Sequence, residues 1–143
     1  MRISKNEYAL RLAEVAALRS EDPHLHVGAV VLDGNNRILS TGYNGVSPGC
    51  KAEDKIPGFW DNRDAKSRFM LHAEMNALAL IRHGEGFMIA CTHSPCIACA
   101  RMIVAHGIRR VIFRTLYDRE PVALEILRFH EVGVIHYGGE AID

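Results

Sequence analysis

FMIACTHSPCIACARMIVAHGIRRVIFR, residues 87–114, is the segment from which the topology of this chain can be inferred. Its apolar run at 87–92 predicts a buried strand, and a second run at 110–114 predicts another. Between them, residues 96–106 have the composition of a helix that ends at Gly107. A strand, a helix and a strand in this order favour parallel strands with the helix packed on one face of the sheet.

The flanking segments extend this pattern over the whole chain. A capping box, Ser4-x-x-Glu7, predicts a first helix, and the turn sequence at 33–36 predicts an antiparallel hairpin at the edge of the sheet. Residues 44–66 are predicted to be irregular, and a compact domain rarely keeps so long a loop without a functional reason. The order is α-β-β-α-β-α-β-α-β in one α/β domain over residues 1–143. The further predicted elements are helices at about 5–19, 72–83 and 121–131, and strands at 27–32, 37–43 and 132–137.

Composition narrows the class of protein. The 143 residues are 48% hydrophobic and 24% charged, with a formal net charge of zero, as in ordinary soluble domains. A protein that binds nucleic acid usually carries a positive field, so neutrality favours a small-molecule substrate. No apolar run has the length needed to span a bilayer, and residues 1–7 show no apolar signal core. We therefore expect a cytoplasmic protein with no membrane or nucleic-acid partner.

The chemistry is indicated by a split pattern, His72-x-Glu74 followed by Pro95-Cys96-x-x-Cys99. One imidazole and two thiols can hold Zn²⁺ and leave its fourth position open for water. Glu74, two residues after the histidine, is placed to move protons at that water. The same order of residues is typical of zinc nucleobase deaminases.

Other interpretations of the cysteines remain open from the sequence. Cys50, Cys91, Cys96 and Cys99 could form two disulfides in an oxidising compartment, although an upstream His-x-Glu favours metal binding in a reducing one. The Cys-x-x-Cys pair could also be a redox site or simply part of the core, but neither needs Glu74. Cys91 lies at an alternate position of a predicted strand, among residues 89–92, and is interpreted as a small core residue.

With these residues in hand, the chain resembles the cytidine deaminase superfamily, and most closely its deoxycytidylate deaminase branch. The resemblance covers nearly the whole chain. It rests on four segments, which are Asp22-Pro23 with residues 27–31, residues 41–45, residues 72–77 and residues 95–100 followed by Gly107-Ile108.

The resemblance implies a three-layer αβα fold with a five-stranded mixed sheet and helices on both faces. It implies a catalytic Zn²⁺ held by His72, Cys96 and Cys99, with Glu74 as the catalytic proton carrier. Some members hold a second, structural zinc, but this chain lacks the extra cysteines for it, so we expect one Zn²⁺ per chain. The implied reaction is hydrolysis of dCMP to dUMP and ammonia, which supplies dUMP for thymidylate synthesis. The substrate contacts that it implies are Asn44 on the sugar, the backbone of Ala73 and Ser94 on the base, and Tyr117 beside the base or sugar.

The resemblance also implies regulation and assembly. Members are often hexamers that dCTP activates and dTTP inhibits, with Mg²⁺ accompanying the triphosphate. The effector segment would be Gly42, Tyr43, Asn44 and Gly45. A substrate monophosphate needs cations or amides near it, and the candidates in this chain are Ser20, His24, His26 and Arg119.

For several of these residues a structural role is the alternative. Asn44 can be a turn former before Gly45, Tyr117 can be a half-buried surface residue, and the phosphate candidates can be ordinary surface residues. Two functional alternatives also remain. The first is deamination of another substrate of the superfamily, such as cytidine, guanine or tRNA adenosine. The second is a catalytically silent zinc-binding nucleotide sensor, for which Glu74 would have no use.

Overall fold

The computed structural model describes residues 1–138 as a five-stranded mixed sheet with helices on both faces. The strand order is β2-β1-β3-β4-β5. β1 is antiparallel to both β2 and β3, whereas β3, β4 and β5 are mutually parallel. The strands are β1 Gly28–Leu32, β2 Ile38–Tyr43, β3 Met88–His93, β4 Arg110–Thr115 and β5 Gly133–His136.

The part of the chain that the structure describes also contains six α-helices. One core cluster packs α4, α5 and α6 against one face of the sheet, and a second cluster packs α1 against the other. The three-layer αβα prediction is therefore confirmed. The helices are α1 Lys5–Ala17, α2 Ala52–Lys55, α3 Arg63–Phe69, α4 Ala73–Leu78, α5 Ile97–Ala105 and α6 Val122–Phe129.

The segment 44–66, predicted to be irregular, carries structure of its own. It holds α2, a 3-10 helix at Phe59–Asp61 and the start of α3. Phe59, Ala52 and Ala65 form a third small core, and the ring of Trp60 packs on Phe59 in a T-shape with centroids 5.0 Å apart. The prediction of an irregular loop was wrong because three short helical segments bury this core jointly. Their apolar residues follow no common spacing, so no helix was predicted from the sequence.

The helix predicted at 72–83 is shorter in the structure. It begins after His72, which has an extended backbone as the N-cap, and it ends at Leu78. Beyond Leu78 the hydrogen bonds join residues three apart rather than four. The N–H of Leu80 donates to the carbonyl of Ala77, and that of Ile81 to the carbonyl of Leu78. This turn brings Ile81 back against the core. None of the helices described within residues 1–138 is long and apolar enough to cross a membrane.

Candidate active site

The three predicted metal ligands lie together where α4 and α5 begin. His72 is the N-cap of α4, Cys96 is the N-cap of α5, and Cys99 lies in the first turn of α5. The Nδ1 atom of His72 is 3.4 Å from Sγ of Cys96 and 3.3 Å from Sγ of Cys99. All three ligand atoms lie within 4.8 Å of one another.

This donor set fits a zinc ion. Tetrahedral zinc with bonds of about 2.0–2.3 Å to nitrogen and sulfur holds such donors about 3.5 Å apart. Two thiols and an imidazole also match the ligand preference of zinc, and three protein ligands leave one position for water. Cys91 is fully buried and does not belong to this group, as expected for a core residue.

The electrostatics of the two sulfurs also suit a cation. A hydrogen bond from the Cys99 thiol, together with the His72 imidazole, lowers the pKa of Cys96 to about 4. The backbone N–H of Cys99 also points to this sulfur, at 3.5 Å, so Cys96 caps the positive end of α5. The hydrogen bond with Cys96 and burial together raise the pKa of Cys99. A bound divalent ion can replace that retained proton and stabilise both thiolates.

Glu74 is buried beside the ligands, with 4% of its surface exposed. Burial raises the pKa of its carboxyl, and the negative charge of Cys96 adds to the rise. Its carboxyl also hydrogen-bonds the thiol of Cys99, which places it at the metal site. A carboxyl whose pKa is raised toward the operating pH can both take and give a proton, as the predicted role requires.

β2 holds α4, and therefore His72 and Glu74, in position. At Gly42, a Cβ atom would lie 2.3 Å from the carbonyl oxygen of Ala73 and 2.5 Å from the nitrogen of Ala77. Only glycine allows the strand and helix to approach so closely. The side-chain amide of Asn76 donates to the carbonyl of Tyr43 at 2.8 Å and anchors the same helix.

Two of the predicted nucleotide contacts lie on segments next to His72, since Ala73 follows it and Gly45, the residue after Asn44, bridges to Leu71. Asn44 is buried, and its amide accepts from the N–H of Val27 at 2.8 Å and donates to the carbonyl of Leu25 at 2.9 Å. Among residues 1–138 one donor and one acceptor position of that amide are left unused, so it holds the loop before β1 and can still bind a ligand. Ala73, the first residue of α4, has a backbone N–H for which the helix provides no acceptor.

Ser94 and Tyr117 are bonded to each other close to the predicted metal ligand Cys96. The hydroxyl of Ser94 accepts from the N–H of Tyr117 at 2.6 Å, and the N–H of Ser94 donates to Thr115 at 2.9 Å. Burial raises the pKa of the half-buried Tyr117, and the charge of Glu120 adds to the rise. These bonds fix the loop after β4 beside Cys96.

The four predicted phosphate candidates are in different environments. Ser20 is buried, and its hydroxyl accepts from the N–H of Asp22 at 3.3 Å. The Nε2 atom of His24 lies 2.6 Å from Oδ1 of Asp61. His26 and Arg119 are exposed, and Arg119 lies within electrostatic reach of Tyr117. Ser20 and His24 are therefore already bonded to other residues of the protein, whereas Arg119 lies within electrostatic reach of Tyr117.

Several charged residues with partners in the structure were not identified from the sequence. Lys66 makes an ion pair with the buried Asp22, at 3.0 Å, and the positive charge of Arg63 opposes the rise in the pKa of Tyr117. Glu120 accepts from the N–H of Ile97 at 3.4 Å and helps to raise the pKa of His72, after the larger effect of the bond to Cys96. The sequence signal for these residues was an alternation of basic and acidic residues over 61–68. Because no helix was predicted there, the positions of these side chains could not be inferred.

Comparison with known proteins agrees with this site. Residues 3–115 match the family described as the cytidine and deoxycytidylate deaminase zinc-binding region. Human deoxycytidylate deaminase is 34% identical over 137 residues, which is 90% of this chain and 75% of the human protein. The deoxycytidylate deaminase of Mycobacterium phage D29 is 36% identical over 76% of this chain and 92% of its own length.

A solved structure resembles the fold over almost its whole length. The crystal structure of dCMP deaminase from the cyanophage S-TIM5 in complex with dCMP and dUMP has a TM-score of 0.74 and 31% identity, and covers 96% of this chain and 99% of its own. The family match includes His72, Glu74, Cys96 and Cys99, the residues that the structure brings together. The chain therefore belongs to the cytidine and deoxycytidylate deaminase family.

Proposed function

We propose that this protein hydrolyses dCMP to dUMP and ammonia. The observation that carries the proposal is the buried carboxyl of Glu74 at the point where His72, Cys96 and Cys99 converge. Support for this particular substrate comes from relatives named deoxycytidylate deaminase and from the phage homologue solved with dCMP and dUMP. The zero net charge of the chain also favours a small substrate over RNA.

The chemistry divides between the metal and the protein. Zinc held by His72, Cys96 and Cys99 would lower the pKa of a water molecule at the site. Glu74 would accept a proton from the water that adds to C4 of the pyrimidine, and it would pass this proton to the ring nitrogen N3. Glu74 then carries the second proton to the amine as the C4–N bond breaks and ammonia leaves. Because Glu74 is buried, bulk water does not compete for these protons.

The protein also orients the base. In the proposed complex the backbone N–H of Ala73 donates to the pyrimidine carbonyl, and the carbonyl of Ser94 accepts from the exocyclic amine. Asn44 uses its remaining donor and acceptor positions on the sugar, and Tyr117 lies along the base or sugar. Support comes from Ala73, which directly follows His72 at the start of α4, and from Ser94, which lies two residues before Cys96 and bonds to Tyr117.

The test is a substrate panel. The pure zinc protein is incubated with dCMP, deoxycytidine, CMP, guanine and a tRNA stem-loop, and ammonia release is measured. We expect the highest kcat/KM for dCMP. Turnover of only guanine or RNA would contradict the proposal, and bound zinc without turnover of any substrate would support a silent nucleotide sensor.

We also propose nucleotide regulation through the segment 42–45, in a hexamer. Support comes from Tyr43, which is exposed, and from the guanidinium carbon of Arg19, 6.0 Å from the centroid of the Tyr43 ring. An aromatic face beside a cation suits a nucleotide. With Mg²⁺ present, dCTP should raise activity at low dCMP and dTTP should reduce it. A flat response to both would remove this proposal, and sedimentation as a monomer would remove the hexamer.

A further inference from the structure

A buried carboxylate that the proposed mechanism does not use lies in α1. Glu7 has 1% of its surface exposed, and its carboxylate accepts hydrogen bonds from the guanidinium group of Arg114, one of them at 3.2 Å. The two terminal nitrogens of Arg114 each contact a different oxygen of this carboxylate, and a bidentate pair of this kind fixes the direction of both side chains. The pair therefore joins α1 to β4 in one relative orientation.

Arg114 is held at a second point on the same helix. Its Nε atom donates to Oε1 of Glu14 at 2.8 Å, so one guanidinium group bridges two positions about two turns apart on α1. Arg11 lies between these positions and also donates to Glu7, at 3.1 Å, but it belongs to α1 itself. Arg11 therefore adds positive charge beside the carboxylate, whereas Arg114 also joins the helix to the sheet.

The backbone of Arg114 lies at the end of β4 nearest the active site. β4 ends at Thr115, whose carbonyl accepts from the N–H of Ser94 at 2.9 Å, and the hydroxyl of Ser94 accepts from the N–H of Tyr117 at 2.6 Å. The carbonyl of Arg114 accepts from Nε2 of His136 on β5 at 3.0 Å. The ends of β3, β4 and β5 are thus linked around this residue.

The alternation of side chains along β4 explains how a contact behind the sheet reaches the site. Phe113 belongs to the core cluster on the face that carries α4 and α5, so the next side chain, Arg114, projects to the α1 face. Beyond it, Thr115 and Leu116 are exposed and add little packing. The direction in which the chain leaves the sheet, and the position of the carbonyl that holds Ser94, therefore depend on Arg114.

We propose that Arg114 is a positioning residue for deamination and acts through Ser94 and Tyr117. The inference rests on the proposed function, in which the carbonyl of Ser94 accepts from the exocyclic amine and Tyr117 lies along the base or sugar. Arg114 lies on the opposite face of the sheet from α4 and α5, so its effect reaches the site through the backbone of β4. A lysine in its place keeps the charge but loses the planar fork, and so holds the strand end less firmly.

The direct test is amide hydrogen exchange in the folded protein. In Arg114→Lys, the N–H groups of Ser94 and Tyr117 should exchange about 10-fold faster relative to that of Ile112, in the centre of β4, because the bonds that protect them open more readily. Arg11→Ala is the matched control, since it removes an arginine from the same carboxylate without releasing β4. In the control the relative rates should stay within about twofold of the wild type.

Kinetics on the same variants separate positioning from folding. Arg114→Lys should lower kcat for dCMP by about 10-fold with zinc content unchanged, because a loosely held base reaches the reactive geometry less often. Glu7→Gln should lower kcat by a similar factor, and the double variant should lose no more than the larger single loss, since the two side chains act as one unit. Arg11→Ala should retain the kcat of the wild type.

Two results would overturn the inference. One is an unchanged kcat in folded Arg114→Lys, and the other is equal losses in Arg114→Lys and Arg11→Ala. If Arg114→Lys does not fold, the comparison of Glu7→Gln with Arg11→Ala decides by the same criteria. Failure of the wild-type protein to turn over dCMP would instead overturn the proposed function, and the exchange rates of Ser94 and Tyr117 would still test the role of Arg114.

Discussion

Gly42→Ala is expected to displace the helix that carries the active site. The added methyl group would lie 2.3 Å from the carbonyl oxygen of Ala73 and 2.5 Å from the nitrogen of Ala77. Both atoms belong to the backbone of α4, so no side chain can rotate away to make room. The helix must therefore move away from β2.

The size of the movement follows from these distances. Ordinary contacts of a Cβ atom begin at 3.4 Å, so α4 must retreat by about 1 Å. Overpacking of this kind costs about 1–3 kcal/mol of stability. His72 and Glu74 are attached to the moving turn, and a misplacement of about 1 Å at a catalytic group costs about 100-fold in rate.

The assay pairs urea unfolding with kcat/KM for dCMP, both on zinc-loaded protein. Gly34→Ala is the matched control, because a Cβ atom there meets nothing within 4 Å and its φ is not positive. The control should retain wild-type activity and stability. If Gly42→Ala unfolds at the same urea concentration as the control and keeps its rate, the close contact between β2 and α4 does not position the site.

Three further predictions concern separate features of the molecule. Glu74→Gln should retain one zinc by metal analysis but lose about 100- to 10,000-fold in kcat, because the amide cannot carry protons; normal activity would disprove the mechanism. Lys66→Met should lower the free energy of unfolding in urea by about 3 kcal/mol, because it leaves the buried Asp22 unpaired. Arg68→Met breaks an exposed ion pair and should lower it by less than about 1 kcal/mol. Equal losses in the two variants would refute this distinction. Burial lowers the pKa of His93 below 6.5, so the unfolded chain binds a proton at this residue more readily than the folded protein does. The free energy of unfolding of the wild type, relative to that of His93→Gln, should therefore fall as the pH drops through 6.5. A constant difference from about pH 8 to about pH 5 would contradict the burial effect.

The metal site could be predicted from the sequence because its spacing is local. Cys96 and Cys99 are one helical turn apart, and His72 and Glu74 begin another helix, so the geometry within each pair follows from the helix that carries it. The alternating strands and helices then require the two helix starts to lie at the same edge of the sheet. The five strands and the helices that cover them follow from the same alternation of apolar runs and turns.

The surroundings of the site could not be predicted in this way. Asp22 and Lys66 are 44 residues apart, and their pairing depends on how the segment 51–70 folds over its small core. That segment has no sustained period, since its helices are only four and seven residues long. The role of Gly42 was also invisible, because a close approach between a strand and a helix leaves no pattern beyond the glycine itself.

We propose that a zinc ion held by His72, Cys96 and Cys99 enables this protein to deaminate dCMP. The most direct measurement is a zinc titration of chelator-treated protein while dUMP formation from dCMP is followed. We predict no turnover before zinc is added and a linear rise that ends at one equivalent per chain, with no such rise in Cys99→Ser. Full dCMP turnover by protein with no measurable zinc, or an undiminished rise in Cys99→Ser, would contradict the claim.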